Sequence, residues 1–153
     1  MRTLYFEDFK PGDRFEPTHR YTLAQDDMLA FARQYDPQTF HVDEVASRQS
    51  IYGGLIASGF QTVAICFRLA VDGLIHRVAS MGSPGVDEIR WLRPVRAGDT
   101  LGVALEVVEA RPSRSRPDRG LVQLRYELRN QRDELVMTML AVGMFARRSS
   151  HHT

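Results

Sequence analysis

The chain has 153 residues, enough for one domain that buries its own hydrophobic core without disulfide or metal staples. Hydrophobic residues make up 43% and charged residues 25%, which is typical of a globular protein and argues against a disordered or fibrous one. Twenty basic and nineteen acidic residues leave a net charge of +1, so no protein-wide positive field predicts a nucleic-acid partner. We expect one domain over residues 1–148 and a disordered tail over residues 149–153.

The first third of the chain predicts one helix after an extended arm. Residues 1–10 lack a basic stretch followed by an apolar run, so we expect no signal peptide and a cytoplasmic location. Thr22, with Gln25 three positions later, matches a capping box at a helix start. The helix is predicted to end near Tyr35, because Pro37 disfavours helical angles at the residue before it.

The middle of the chain predicts a short helical turn and then a long buried helix. Residues 43–48 can form the turn, and the glycines at 53 and 54 end it. Residues 55–71 are predicted as the buried helix, because apolar side chains recur at helical spacing. Polar and charged residues interrupt this stretch, so we predict no membrane span. Cys66 is the only cysteine, which excludes an intramolecular disulfide and a multi-cysteine metal site.

The C-terminal half predicts antiparallel strands, because its apolar residues alternate with polar ones. The expected strands cover residues 86–95, 101–107, 122–128 and 135–145. Four arginines, two serines and two prolines over residues 111–119 predict an exposed loop, and residues 130–133 predict a hairpin turn. Helices followed by consecutive strands indicate an α+β domain, with one curved sheet covering the long apolar helix.

The segment from Asp36 to His41 carries the first candidate site. It places a carboxylate and an imidazole five residues apart on a connection that contains Pro37. A loop can turn both side chains into one pocket, where they would suit general acid–base chemistry. The residues alone leave two other interpretations open: Asp36 caps the next segment, and His41 is an ordinary core or surface histidine.

The segment from Gly53 to Phe60 carries the second candidate site. Glycines ahead of an apolar helix allow a backbone to approach a ligand closely, and Gly54 is a candidate for such a contact. Unpaired N–H groups at a helix start can stabilise an oxyanion. Alternatively, Gly53 and Gly54 only form a turn, and Gly59 only allows a close contact between helix and sheet.

Together the two segments resemble the MaoC-like acyl dehydratases, a family that includes the (R)-specific enoyl-CoA hydratases. The family's Asp, its His five residues later and its glycine in an Ile-Ala-Ser-Gly context fall on Asp36, His41 and Gly59. The similarity covers nearly the whole chain and includes Trp-Leu-Arg-Pro-Val-Arg-Ala-Gly-Asp at 91–99. The resemblance implies the hot-dog fold, an antiparallel β-sheet wrapped around a long central α-helix. It also implies a homodimer or higher oligomer with sites near the subunit interface.

The resemblance implies reversible addition of water to a trans-2-enoyl thioester, an acyl-CoA or another acyl thioester, to give a 3-hydroxyacyl thioester. Asp36 and His41 would be the catalytic pair that holds and deprotonates the water. The Gly59 N–H would bind the enolate oxygen. No metal and no cofactor is expected, since CoA enters only as part of the substrate.

The sequence departs from the hydratase pattern Asp-x-Asn-Pro-aliphatic-His at several positions. Gln38 occupies the Asn position, and the bulkier Phe40 occupies the aliphatic one, where it would shape the acyl pocket. Ser58 stands before the glycine, where hydratases often carry histidine. These changes affect the expected substrate more than the expected reaction.

Arginines are the expected contacts for the phosphates of CoA. The candidates are Arg90 and Arg93, at and just before the Arg-Pro-Val-Arg segment, with Arg114 and Arg116 in the arginine-rich loop. Two other functions remain open at this stage. One is an acyl-CoA thioesterase, in which water attacks the carbonyl carbon; the other is a non-catalytic subunit that binds an acyl thioester.

Overall fold

The computed structural model describes residues 1–149, so all but Ser149 of the predicted tail lies outside the described residues. Four α-helices occupy the first half of the chain, and most of the strand residues lie in the second half. The helices are α1 (Gln25–Tyr35), α2 (Thr39–Val42), α3 (Glu44–Arg48) and α4 (Gly59–Gly73). The strands are β1 (Arg14–Phe15), β2 (Tyr21–Thr22), β3 (Gly85–Trp91), β4 (Thr100–Pro112), β5 (Arg119–Arg129) and β6 (Leu135–Ala146).

The strands form one antiparallel sheet in the order β1-β4-β5-β6-β3, and β2 pairs separately with β4. The strict alternation of buried and half-buried residues along β5 follows from the two-residue repeat of a strand. Asp133 has φ 59° in the turn between β5 and β6, as a tight hairpin requires. The four predicted long strands and this hairpin are confirmed, with shifted ends.

The long helix α4 packs against the sheet and contributes a large part of the hydrophobic core. Its buried side chains, which include Ile65, Cys66 and Leu69, join core residues from β4, β5 and β6. Burial of each large apolar side chain contributes roughly 1.5–3 kcal/mol. The predicted α+β architecture, an antiparallel sheet around a long helix, is therefore confirmed.

The start of α4 differs from the prediction. The helix begins at Gly59 rather than at Leu55, although the first three of the intervening residues are apolar. They are extended instead: the Ile56 N–H donates to the Phe40 carbonyl at 3.1 Å, and the Ala57 N–H donates to the Val95 carbonyl at 2.8 Å. These bonds to neighbouring segments replace helical ones and place Gly59 in the first turn of α4.

Two other boundaries also differ from the sequence-based prediction. Thr22 does not cap α1; it lies in β2 and its hydroxyl bonds that of Thr100 at 2.8 Å. The residue before α1 is Ala24, which offers no side-chain cap. Strand β3 ends at Trp91 rather than Val95, because the N–H groups of Leu92 and Arg93 both donate to the Val136 carbonyl and Pro94 has no N–H with which the ladder could resume. Within residues 1–149, no helix has the length and apolarity needed to cross a membrane.

Candidate active site

Asp36 and His41 meet because the chain reverses sharply after α1. Asp36 ends α1 with φ −152° and ψ 67°, outside helical geometry, as Pro37 dictates. The single turn of α2 then carries His41 back, so that its Nε2 lies 3.1 Å from Asp36 Oδ2. His41 is only 4% exposed, which removes it from bulk water. The structure thus brings together the carboxylate and imidazole that the spacing suggested.

A backbone hydrogen bond fixes the orientation of the His41 ring. Its Nδ1 lies 2.7 Å from the Ile56 carbonyl oxygen. Since a carbonyl oxygen only accepts, this contact assigns a proton to Nδ1. The Nε2 atom then faces Asp36, and the two groups are placed to share one further proton. Such a pair can take a proton from one atom and return one to another.

The Asp36 carboxylate is held from both sides. Gln38 Nε2 donates to Oδ1 at 2.6 Å, and Ser58 Oγ donates to Oδ2 at 2.7 Å. Burial raises the pKa of Asp36, but the hydrogen bonds from Gln38 and Ser58, with the neighbouring His41, outweigh it. The net pKa of this carboxyl lies below its usual value, so Asp36 is charged at neutral pH.

The start of α4 brings a backbone donor to the same place. Ser58 is the N-cap, and its hydroxyl accepts from the Phe60 N–H at 3.3 Å. The Gly59 N–H has no hydrogen-bond acceptor among residues 1–149. The first N–H groups of a helix lack intrahelical partners and carry partial positive charge. Gly59 therefore offers a donor for an oxygen that becomes negative.

These groups line one cavity of about 390 Å³. Asp36, His41 and Gly59 lie on its wall, together with Phe40 and Arg93 from the predicted set. Phe40 packs edge-on against the His41 ring, with ring centroids 4.5 Å apart. Apolar and polar groups thus converge on one concavity, which is the usual form of a small-molecule site.

The other predicted binding residues do not line the cavity. Ser58 is fully buried and bonds Asp36, and Gly54 lies near the Arg96 guanidinium, so that a Cβ on it would be 3.4 Å from Nη1. The remaining three arginines face elsewhere: Arg90 lies on β3 beside Glu88, and the other two, Arg114 and Arg116, are exposed in the turn between β4 and β5.

Sequence reasoning missed three residues that shape the site. Tyr52 and Trp91 line the cavity, and Arg96 holds the loop behind it. The signal for two of them was present, because Trp91 and Arg96 belong to the segment that carried the family resemblance. Tyr52 has no such signal: its ring reaches Phe40, with centroids 5.4 Å apart, only after the chain folds back.

Comparison with known proteins agrees with this geometry. A profile described as the MaoC like domain matches residues 8–128. The solved structure of a MaoC-like dehydratase from Rhodospirillum rubrum is 41% identical, with a TM-score of 0.84; the match covers 96% of this chain and 99% of that one. A curated 3-hydroxybutyryl-CoA dehydratase from Methylorubrum extorquens is 29% identical, and the match covers 76% of this chain and 71% of that protein.

The description of a more distantly related structure identifies the fold. A conserved hypothetical protein from Mycobacterium tuberculosis, described as a double hotdog fold, is 22% identical with a TM-score of 0.81. The match covers 99% of this chain and 46% of that one, so this chain corresponds to one of its two units. The predicted hot-dog fold is confirmed, and the profile match over most of the chain shows that this protein belongs to the MaoC-like dehydratase family.

Proposed function

We propose that the protein catalyses reversible addition of water to a trans-2-enoyl thioester, an enoyl-CoA, to give a 3-hydroxyacyl thioester. One observation carries the proposal: Asp36, His41 and Gly59, whose N–H has no acceptor among residues 1–149, line the same cavity. An acid–base pair next to a backbone donor is what addition to an enoyl thioester needs, since a proton moves while charge collects on an oxygen. The dehydratase activity named for the Methylorubrum relative is the reverse of this reaction.

The proposed reaction moves two protons through the pair. Asp36 and His41 hold a water molecule, and Asp36 takes one of its protons as the oxygen attacks C3 of the substrate. The electrons of the C2–C3 double bond move towards the thioester oxygen, where the Gly59 N–H stabilises the enolate. His41 Nε2 then gives its proton to C2, so the pair has accepted one proton and returned one. The reaction needs no metal and no redox cofactor.

Among residues 1–149, one arginine lines the cavity and is a candidate partner for the CoA end of the substrate. Arg93 lines the cavity and is exposed, and its Nη1 lies 3.1 Å from the Glu134 carboxylate. A guanidinium on a cavity rim suits the phosphates of CoA. Within one chain, Arg93 is therefore the proposed ligand of the CoA phosphates. The three predicted arginines that lie away from the cavity are not proposed to bind CoA.

The proposal also includes a homodimer. Strand β3 forms one end of the sheet and pairs only with β6 among the described residues, so its outer edge has unpaired backbone groups. An apolar groove of about 410 Å³ lies beside it, and the exposed rings of Phe60 and Phe67 border this groove. The Mycobacterium protein is described as a double hotdog fold, which supports the pairing of this chain with a second copy.

Substitution of the catalytic pair tests the reaction. With crotonyl-CoA, a four-carbon enoyl thioester, Asp36→Asn and His41→Ala should each lower kcat about 10²–10⁴-fold, the usual contribution of an acid–base group. Loss of enoyl absorbance measures the rate. His76→Ala and Asp26→Asn, which change exposed residues away from the cavity, are the matched controls and should retain the wild-type rate.

The same assay separates the rival functions. Free thiol, followed with a thiol reagent in parallel, should not increase. Thiol release that depends on Asp36 would replace the hydratase with a thioesterase. Saturable binding without turnover over a panel of enoyl-CoA chain lengths would instead indicate a non-catalytic binding subunit.

A further inference from the structure

Trp91 is the only tryptophan in the chain, and it crosses the start of α4. Its indole Nε1–H donates to the Gly59 carbonyl oxygen at 3.0 Å, and its ring meets the Phe60 ring edge-on with centroids 5.9 Å apart. Trp91 is 47% exposed and lines the cavity that contains Asp36 and His41. The indole therefore contacts both the substrate space and the peptide unit next to the oxyanion donor.

The indole also explains why residue 59 is a glycine. A Cβ placed on Gly59 would lie 2.6 Å from Cε2 and Nε1 of Trp91, closer than real carbon contacts allow. Backbone conformation does not require glycine here, because Gly59 is helical and its φ is not positive. The requirement for glycine thus comes from the indole that lies on it.

We propose that Trp91 is a positioning residue, whose indole holds the first turn of α4 so that the Gly59 N–H stays fixed at the cavity wall. The Gly59 carbonyl is tied to Trp91 on one side, while the N–H of the same residue remains available on the other. The inference rests on the proposed function, in which that N–H binds the thioester oxygen. An oxyanion donor acts only when it is held in place before the reaction.

Trp91→Phe tests the hydrogen bond, since it keeps an aromatic ring and removes the N–H. Loss of a whole oxyanion donor costs about 10²–10³-fold in kcat, so loosening one should cost about tenfold. Both kcat and kcat/KM with crotonyl-CoA should fall by this factor while KM changes little, because the interaction forms in the transition state. Val108→Ala, which trims an exposed residue of β4, is the control. An unchanged kcat in Trp91→Phe would overturn the proposal.

A double-mutant cycle tests the contact without any substrate. Gly59→Ala should lower the midpoint of thermal unfolding in the wild-type background, because the new Cβ meets the indole. In the Trp91→Ala background the same change should not lower it, since alanine suits a helix better than glycine once the space is open. An equal loss in both backgrounds would mean that the indole does not impose the glycine, and the proposal would fail.

The two measurements separate failure of the inference from failure of the proposed function. If the wild-type protein hydrates no enoyl-CoA, the proposed function is wrong and the thermal cycle alone decides whether Trp91 holds Gly59. If the wild type is active and the cycle shows no coupling, the hydratase stands and the positioning role of Trp91 does not.

Discussion

Asp36 has few positions left at which it can accept a proton from water. A carboxylate has about four lone-pair positions, two on each oxygen. Ser58 and His41 occupy those of Oδ2, and Gln38 occupies one of Oδ1. The open position on Oδ1 is therefore where Asp36 would meet the attacking water. These three neighbours thus keep Asp36 charged and also determine the direction from which it can accept a proton from water.

Gln38→Ala should raise the pKa of Asp36, because the hydrogen bond from Gln38 is the foremost of the contacts that stabilise its charged form. The acid side of the kcat/KM profile should move to higher pH if Asp36 is the base. The lowered pKa of Asp36 also stabilises the folded state at pH values above the ordinary carboxyl range. This contribution to the free energy of unfolding is lost as the pH falls through the folded-state pKa.

The pKa of Asp36 can be followed directly through its carboxyl ¹³C shift in the wild type and the variant. Gln34→Ala, an exposed change near the end of α1, is the matched control and should leave this pKa in place. An Asp36 pKa that is the same in Gln38→Ala as in the wild type would contradict the prediction.

The extended segment before α4 supports the site as a unit. Its Ile56 carbonyl holds the His41 ring, and the guanidinium of Arg96 bonds its Leu55 carbonyl together with the Tyr52 carbonyl in the turn before it. Arg96 Nη2 donates to the Tyr52 carbonyl, and Nη1 donates to that of Leu55 at 3.4 Å. No carboxylate forms an ion pair with Arg96 among residues 1–149, so its guanidinium is committed to backbone oxygens.

This segment also separates the features that could be predicted from the sequence from those that could not. The alternation of apolar and polar residues predicts the long strands, because each of them has one face against the core. The same apolar character misplaces the start of α4, since periodicity does not distinguish a buried extended segment from a buried helix. The Asp36–His41 pair could be proposed from spacing and family resemblance. Its hydrogen bond to Ile56 could not, because that contact depends on a non-helical segment that the prediction made helical.

Arg96→Lys should loosen this segment, because a lysine ammonium cannot reproduce the planar fork that donates to two carbonyls. Hydrogen bonds from a charged group contribute about 1.5–3 kcal/mol, so the free energy of unfolding in urea should fall by about that amount. Activity should fall as well, through the Ile56 carbonyl that orients His41. Arg33→Lys, an exposed change on α1, is the control for both measurements. Wild-type stability in Arg96→Lys would contradict the supporting role.

The whole molecule is asymmetric in the way it covers its core. One face of the sheet packs against α4, whereas the outer side of α4 and the neighbouring edge of β3 remain open among residues 1–149. Phe60 is 64% exposed and Phe67 is 46% exposed on this side, and the half-exposed Val86 of β3 lies next to them in the same groove. Large contiguous apolar patches on a folded chain mark interaction surfaces. Because Phe60 borders both this groove and the catalytic cavity, a second copy seated here would also bound the substrate site.

Phe67→Glu should therefore separate the proposed dimer, because it puts an unpaired carboxylate into a surface that a partner would dehydrate. Phe67 lies outside the catalytic cavity, and its exposure allows the variant chain to fold. Light scattering after size-exclusion chromatography should give twice the chain's 17.4 kDa for the wild type and a single chain for the variant. Val108→Glu places the same charge on an exposed apolar residue of β4 away from this groove and should leave the dimer intact. A wild-type protein that elutes as one chain, or a Phe67→Glu variant that stays paired, would show that this face is not where two copies meet.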